Sequence, residues 1–232
     1  MQRHNGNGIT FDGTIVDCDV CAIGKIQQLA HPKQVQHAGI TRPFQLCYSD
    51  LMGSFTPKAY DGFKYVSNIT DQFTWWTTAY VLKDKSYALD SFHLFVTSTL
   101  IPCGGRVIHW RTNKGGEYTS EAFKQYCLET GIALESATTN TPQQIDVFER
   151  VGRTLCSMVC CLLVDRGLRT KLWEKLMLAV AYLYNRMPQS RIHIETPFKR
   201  PYAKEAILSH LKIIGARAFV HIKDAKKLEP KA

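Results

Sequence analysis

A polar side chain stands at the end of a short predicted strand, at residue 113. The apolar, β-branched and aromatic run 106–111 predicts the strand, a Gly-Gly pair predicts a turn after it, and Thr119 or Ser120 can cap the helix that follows. α/β folds place their chemistry at such an edge. A metal-dependent phosphoryl-transfer site needs a carboxylate there, whereas Asn113 offers a neutral amide oxygen.

Two acidic residues elsewhere also have positions at which they could bind a metal. Asp50 lies near the end of an alternating run, 44–53, that predicts a strand, and Glu149 lies in the first turn of a helix predicted from about 146 to 165. Taken alone, Asp50 is equally typical of a turn after a strand. Glu149 is equally typical of a carboxylate that a helix dipole stabilises.

Two cysteines near the amino terminus have the spacing of half a zinc site. Cys18 and Cys21 form a C-x-x-C pair, and a tetrahedral site needs two further ligands. The neighbouring histidines, His4, His31 and His37, do not have the spacing of a zinc finger. We therefore expect weak zinc binding at most, and two ordinary cysteines are an equally good interpretation.

The composition restricts the kinds of partner. The chain of 232 residues has 29 basic and 20 acidic side chains, a net charge of +9, which favours nucleic acid or another anionic surface. No apolar run reaches the length of about 18 residues that a membrane span requires, so we expect no membrane partner. The eight scattered cysteines are typical of free thiols in a reducing, intracellular compartment.

The hydrophobic periodicity predicts a single α/β (α+β) domain. Three alternating runs, 44–53, 63–71 and 74–82, predict an antiparallel meander, with Asp71 as a turn residue after the second strand. A helix, a strand, a helix, a strand and two helices are predicted next, in that order. This order predicts a mixed five-stranded sheet flanked by helices.

Several motifs, in one order along the chain, resemble the integrase catalytic core of copia-type retrotransposon polyproteins. The resemblance runs from about Asp17 to Ile222. It depends on Tyr48-Ser-Asp-Leu-Met-Gly53, Arg111 to Ser120, Thr141-Pro-Gln-Gln144, Phe148-Glu-Arg150, Tyr182-Leu-Tyr-Asn-Arg186 and Thr196-Pro197. It implies an RNase H-like fold and descent from a polynucleotidyl transferase. Cys18-x-x-Cys21 resembles the end of the zinc-binding region that precedes such a core.

The resemblance also implies a chemistry and its residues. The family cleaves and transfers DNA strands with two divalent metals, Mg²⁺ or Mn²⁺, held by three carboxylates. Those carboxylates correspond to Asp50, residue 113 and Glu149 in this chain, and the joint spacing favours this assignment over the isolated interpretations. Two neighbouring cations repel each other and need anionic oxygens to hold them.

The chain departs from the family pattern close to these positions. Asn113 replaces a carboxylate, Lys114 adds a cation, and Ile145-Asp146 replaces an Asn-Gly pair. Gly152 lies inside the predicted helix, where glycine costs about 1 kcal/mol. We therefore expect an integrase-type protein with impaired catalysis. The alternative is a non-catalytic nucleic-acid-binding or interaction protein derived from such an element.

The resemblance and the charge together predict organisation and partners. Residues 1–37 are expected to be a disordered start with the remnant of a zinc module, 38–195 the core, and 196–232 the truncated start of a carboxyl-terminal region. The expected partner is DNA, with nuclear localisation and a homo-oligomer as further expectations. A basic face, for which a merely solvated face is the alternative, is predicted at Lys114, Arg150, Arg153, Arg169 and Lys171.

Overall fold

The protein folds around a five-stranded mixed sheet. A computed structural model describes residues 39–112, 115, 118, 120–136 and 142–218. The strand order is β3-β2-β1-β4-β5, which confirms the predicted sheet. The strands are β1 (Leu46–Gly53), β2 (Tyr65–Asp71), β3 (Thr77–Leu82), β4 (His109–Thr112) and β5 (Ala133–Ser136).

The sheet changes direction at its central strand. β1 pairs antiparallel with β2, and β2 pairs antiparallel with β3, so the predicted meander is confirmed. β4 lies on the other side of β1 and runs parallel to it, and β5 is parallel to β4. Parallel neighbours need long crossovers, and helices supply them here.

The described helices occur in the predicted order. The first, α1 (Ala88–Phe95), is extended by a 3₁₀ turn before it and by a π-helical turn, Val96–Leu100, after it. Ser120 caps the second helix by accepting a hydrogen bond from the amide of Phe123. The others are α2 (Glu121–Thr130), α3 (Pro142–Asp165), α4 (Trp173–Tyr184) and α5 (Lys199–Tyr202).

Three predicted boundaries are wrong by three or four residues. Strand β3 begins at Thr77 rather than at 74. Strand β4 begins at His109 rather than at 106, because the amides of Ile108 and His109 both donate to the carbonyl of Gln45 before regular pairing starts. Helix α3 begins at Pro142 rather than at 146. Proline suits a first helical position because the amide it lacks would have no partner there.

Side chains alternate across β1 into two hydrophobic cores. Leu46 and Tyr48 face the core formed with α3 and α4, where Leu155 is fully buried. Cys47 faces the opposite core, formed with α1 and α2, where Phe92 is fully buried. The central strand is therefore covered on both faces, and only its ends can reach solvent.

The segment after residue 195 packs against the turn between β2 and β3. The Phe198 ring lies 4.9 Å from that of Tyr202 and 6.1 Å from that of Trp76, and Arg200 donates to the carbonyl of Phe73 at 2.7 Å. The domain limits placed at 37 and 195 stay predictions. In the described part of the chain, every helix is too short or too polar to cross a membrane.

Candidate active site

Asp50 and Glu149 line the same open groove, although 98 residues separate them in the sequence. The groove has a volume of about 470 Å³. Asp50 is half-buried and Glu149 is exposed. The structure thus brings these two candidate ligands to one groove. The other lining residues are Met52, Gly53, Phe55, Arg153, Cys156, Ser157 and Cys160.

Strand register places Asp50 at the centre of the sheet. Asp50 is paired with Asn68 of β2. On the other side of β1, Ser49 is paired with Thr112, the last residue of β4. Asn113 and Lys114 lie outside the described residues, so the third predicted ligand position stays a prediction.

Helix α3 places Glu149 on the groove by burying its opposite face. Val151 and Leu155 are almost fully buried against the sheet, whereas Glu149 and Arg153 are exposed. Glu149 is the eighth residue of α3, so its predicted place in the first turn is wrong. The helix dipole acts within about one turn. It therefore does not account for a carboxylate at this position.

Gly152 allows α3 to approach β1 closely. It is buried, and a Cβ atom added to it would lie 2.6 Å from the Sδ atom of Met52, which follows Asp50 by two residues. Glu149 precedes Gly152 by three residues on the same helix. The sequence analysis treated Gly152 only as a destabilising departure from the family pattern. That interpretation is incomplete, because this glycine sets the separation of α3 and β1, the two elements that carry the carboxylates.

Two thiols share the groove with the carboxylates. Burial raises the pKa of the Cys156 thiol to about 11, with smaller contributions from Cys160 and from the negative charge of Asp50. Metals bind the thiolate form, which Cys156 rarely adopts at neutral pH. The anionic donors that a hard cation would meet are therefore Asp50 and Glu149.

An arginine of β4 fixes that strand beside β1, and the sequence analysis missed this role. Arg111 donates through Nη1 to the hydroxyl of Tyr48 at 2.8 Å and through Nε to Glu135 at 2.9 Å. The Tyr48 hydroxyl donates in turn to Gln72 at 2.7 Å. Burial raises the pKa of Tyr48 to about 12, so the hydroxyl remains a donor. Arg111 belongs to a motif that the sequence analysis singled out. Its contacts with Tyr48 and Glu135 were not predicted, because these partners lie far away in the sequence.

Asp71 is a structural residue; it is the last residue of β2 rather than the predicted turn residue after it. It is fully buried and accepts hydrogen bonds from the amide of Phe44 at 2.9 Å and from the amide and hydroxyl of Thr74 at 2.8 and 2.6 Å. Desolvation outweighs these bonds and raises its pKa to about 6. Phe44 and Trp75 beside it have φ values of 60° and 62°, a costly region for such residues.

The described members of the predicted basic face lie in two groups, and the single face stays a prediction. Arg153 lines the groove and Arg150 is half-buried next to Glu149 in sequence. Arg169 and Lys171 are exposed and meet Tyr60 in the loop between β1 and β2. Lys114, the remaining residue of this set, lies outside the described residues.

The predicted zinc pair, Cys18 and Cys21, also lies outside the described residues. The six cysteines of the described part are free thiols. That part contains no cluster of three metal-ligating side chains.

No protein-family model matches this chain. Among curated proteins it is similar to a retrovirus-related Pol polyprotein from transposon TNT 1-94 of Nicotiana tabacum, with 32% identity over 209 residues. The match covers 90% of this chain but only 16% of that polyprotein. The chain therefore spans about one sixth of its relative.

Solved structures with this fold include retroviral integrases. A simian T-cell lymphotropic virus intasome, in complex with a PP2A regulatory subunit, matches with a TM-score of 0.61 and 17% identity over 88% of this chain and 68% of that one. The HTLV-2 integrase catalytic core, in complex with magnesium and in a trimeric form, matches with a TM-score of 0.54 and 14% identity over 68% of this chain and 97% of that one. The predicted RNase H-like fold, the fold of integrase cores, is thus confirmed.

Proposed function

We propose that this chain, whose homologues are retrovirus-related Pol polyproteins of plant copia-type transposons, is the catalytic-core portion of an integrase-type polynucleotidyl transferase. One observation carries the proposal. Asp50 and Glu149, which the family pattern selects from distant parts of the sequence, line one groove in the folded chain. The proposed substrate is DNA.

The donor set of the groove suits a hard divalent cation. Asp50 and Glu149 supply carboxylate oxygens, the ligands that Mg²⁺ and Mn²⁺ prefer, and the neighbouring Cys156 thiol is kept neutral. These two carboxylates would hold the metal, with residue 113 as a third position. When bound, the metal supplies Lewis-acid stabilisation of the oxygens at a phosphodiester.

The remaining side chains of the groove bind and orient the substrate. Arg153 is exposed on the wall that carries Glu149, where its guanidinium can contact a phosphate next to the carboxylates. Phe55 and Met52 form an apolar wall beside it. Asp50 and Glu149 repel a phosphodiester in the absence of metal, so binding of DNA in the groove depends on the cation.

We further propose that Asn113 weakens catalysis. Its amide oxygen can touch a metal but brings no negative charge, so two dications would face only Asp50 and Glu149. Disturbing even an outer-shell partner of a metal site costs about 10–100-fold in affinity or activity. This residue also favours the second candidate function, a non-catalytic nucleic-acid-binding protein derived from such an element.

The other partners follow from the same proposal. The net charge of +9 supports binding to DNA phosphates. The HTLV-2 core has been solved in dimeric and trimeric forms, which supports a homo-oligomer here. Action on chromosomal DNA implies a nuclear location in a reducing cell. Zinc at Cys18 and Cys21 is proposed to be weak, because two cysteines leave a tetrahedral site half filled.

Substitution of Asn113 by Asp tests the metal site. The change restores one negative charge, so Mn²⁺ should raise the melting temperature of the variant more than that of the parent, since a ligand that binds only the folded state stabilises it. Nicking of a DNA duplex with Mn²⁺ should be near background in the parent and should recover partly in the variant. Thermal melts and a nicking assay with both proteins measure this.

Glu149→Gln is the matched control, because it removes one charge from the groove and keeps the shape of the side chain. It should reduce the Mn²⁺-induced shift in both backgrounds. Equal shifts in the parent, Asn113→Asp and Glu149→Gln would contradict the metal site. Strong nicking by the parent would contradict the proposed impairment but not the proposed reaction.

A further inference from the structure

An exposed tyrosine contacts two cations from one distant segment of the chain. Tyr60, in the loop between β1 and β2, has 52% of its surface exposed. Its hydroxyl lies 3.4 Å from Nη1 of Arg169, which donates to it. The Nζ atom of Lys171 lies 5.7 Å from the centre of its ring. Tyr60 thus contacts two cations of the α3–α4 connection.

The charges of these two cations are available to a ligand. In the part of the chain that the structure describes, neither Arg169 nor Lys171 pairs with a carboxylate. The acidic residues nearby, Asp61 and Glu174, instead share Lys175, at 2.8 and 3.2 Å from its Nζ atom. In the other described ion pairs, too, an acidic partner neutralises the cation. The Tyr60 patch (Tyr60, Arg169 and Lys171) therefore presents uncompensated positive charge.

The loop that carries Tyr60 also forms a wall of the groove. Phe55, five residues earlier, lines the groove, and its ring lies 4.6 Å from that of the buried Trp173 at the start of α4. The indole of Trp173 donates to the carbonyl of Pro57 at 3.0 Å. These contacts fix the loop. Five residues span at most about 18 Å, which corresponds to about five base pairs of a duplex at 3.4 Å each.

We infer that the Tyr60 patch binds the phosphate backbone of a DNA duplex about five base pairs or fewer from the part that occupies the groove. The inference rests on the proposed function, since the groove supplies the reacting end of the DNA. Arg169 and Lys171 contact phosphates, and Tyr60 keeps the two cations in place. Their uncompensated charge and their distance from the groove fit a continuous polyanion better than a small anion.

The salt dependence of DNA binding tests the patch. Each phosphate contact contributes about −0.9 to the slope of log K against log salt on a duplex. Arg169→Ala/Lys171→Ala should therefore make the slope shallower by about 1.8. The parent should then lose about 12-fold more affinity than this variant between 50 and 200 mM KCl. Fluorescence anisotropy with a labelled 30-base-pair duplex, roughly three helical turns, measures both.

Lys124→Ala/Lys199→Ala is the matched control. It removes the same two positive charges, but from lysines that pair with Glu121 and Glu205, so the slope should change by less than about 0.5. Tyr60→Leu keeps the net charge and should still make the slope shallower. If the patch variant and the lysine control change the slope equally, only net charge matters and the inference is wrong.

Glu149→Gln separates this inference from the proposed function. If Glu149→Gln loses the Mn²⁺-induced melting shift while the patch variant keeps the parental slope, the catalytic proposal stands and the patch proposal falls. If the patch variant has the shallower slope and Glu149→Gln keeps the full Mn²⁺ shift, the patch stands and the metal site falls.

Discussion

Two aspartates, one on the central strand and one paired beside it, occupy contrasting environments. Asp71 pairs with Cys47 near the start of β1, is fully buried, and accepts three hydrogen bonds. Asp50 lies three residues further along β1, is half-buried, and lines an open groove together with Glu149. Both residues lie in strands of the same sheet.

The contrast shows how the fold separates structural from functional carboxylates. The oxygens of Asp71 bind backbone and hydroxyl donors, which hold Phe44 and the 71–77 turn in strained backbone conformations. A carboxylate of this kind stabilises the fold and is unavailable to a ligand. Asp50 instead lines an open groove that a second carboxylate, Glu149, also lines. Such an arrangement costs stability unless a cation occupies it.

Removing each carboxylate in turn should give the largest difference between these regions. Asp71→Ala leaves the amides of Phe44 and Thr74 without acceptors, and a buried donor without a partner costs about 1–3 kcal/mol. We expect the free energy of unfolding to fall by about 3 kcal/mol or more. Asp50→Ala should lower it by less, because Asp50 is only half-buried. Urea denaturation without divalent metal measures both, and similar losses would remove the proposed distinction.

The same contrast predicts a pH dependence. The pKa of Asp71 is about 6 in the folded protein against an ordinary value of 3.8, so the folded state keeps a proton that the unfolded chain has lost. Its stabilising contribution is complete below about pH 3.8 and is lost as the pH rises to about 6. The change amounts to about 3 kcal/mol at 1.36 kcal/mol per unit of pKa. The side chain at position 71 cannot titrate in the Asp71→Asn variant, which therefore serves as the reference.

The unfolding free energy of the parent relative to Asp71→Asn should therefore decrease between about pH 4 and pH 6 and then level off. Urea denaturation at half-unit intervals measures this difference, and the other titrating groups cancel from it. A difference that increases with pH would mean that the hydrogen bonds to Asp71 outweigh its desolvation.

A smaller effect should arise at the contact that holds the groove together. Gly152→Ala adds a methyl group 2.6 Å from Sδ of Met52. Overpacking of this kind typically costs 1–3 kcal/mol, and the helix propensity gained offsets about 1 kcal/mol. We expect a net loss of about 1 kcal/mol and a smaller Mn²⁺-induced melting shift, because α3 and Glu149 move away from β1.

Met52→Ala is the control for this contact, because it removes the obstructing side chain. Gly152→Ala/Met52→Ala should recover most of the Mn²⁺-induced shift that the single glycine substitution loses. If the double variant recovers none of it, the close approach of α3 to β1 does not set the spacing of the carboxylates. Thermal melts of the parent, both single variants and the double variant complete the cycle.

Local patterns were sufficient for most of the fold. The alternation of 44–53 and 63–71 predicted β1 and β2, and Ser120 caps α2 as expected. The boundaries at Arg106 and Asp146 were wrong because they depend on the pairing of Gln45 and on how a helix starts at Pro142. Periodicity reports which face of an element is apolar, and it is less informative about where hydrogen bonding begins.

The resemblance to the family pattern selected Asp50 and Glu149 as partners, and residue identity showed that position 113 carries an amide. These are facts of covalent chemistry and order along the chain, and folding does not alter them. The roles of Gly152 and of the Arg111–Tyr48–Gln72 chain of hydrogen bonds depended on contacts across long sequence separations. The Tyr60 patch likewise joins a loop after β1 to the α3–α4 connection, 109 residues apart. Distances between such segments arise only when the sheet and helices pack, because short-range order does not specify which distant surfaces meet.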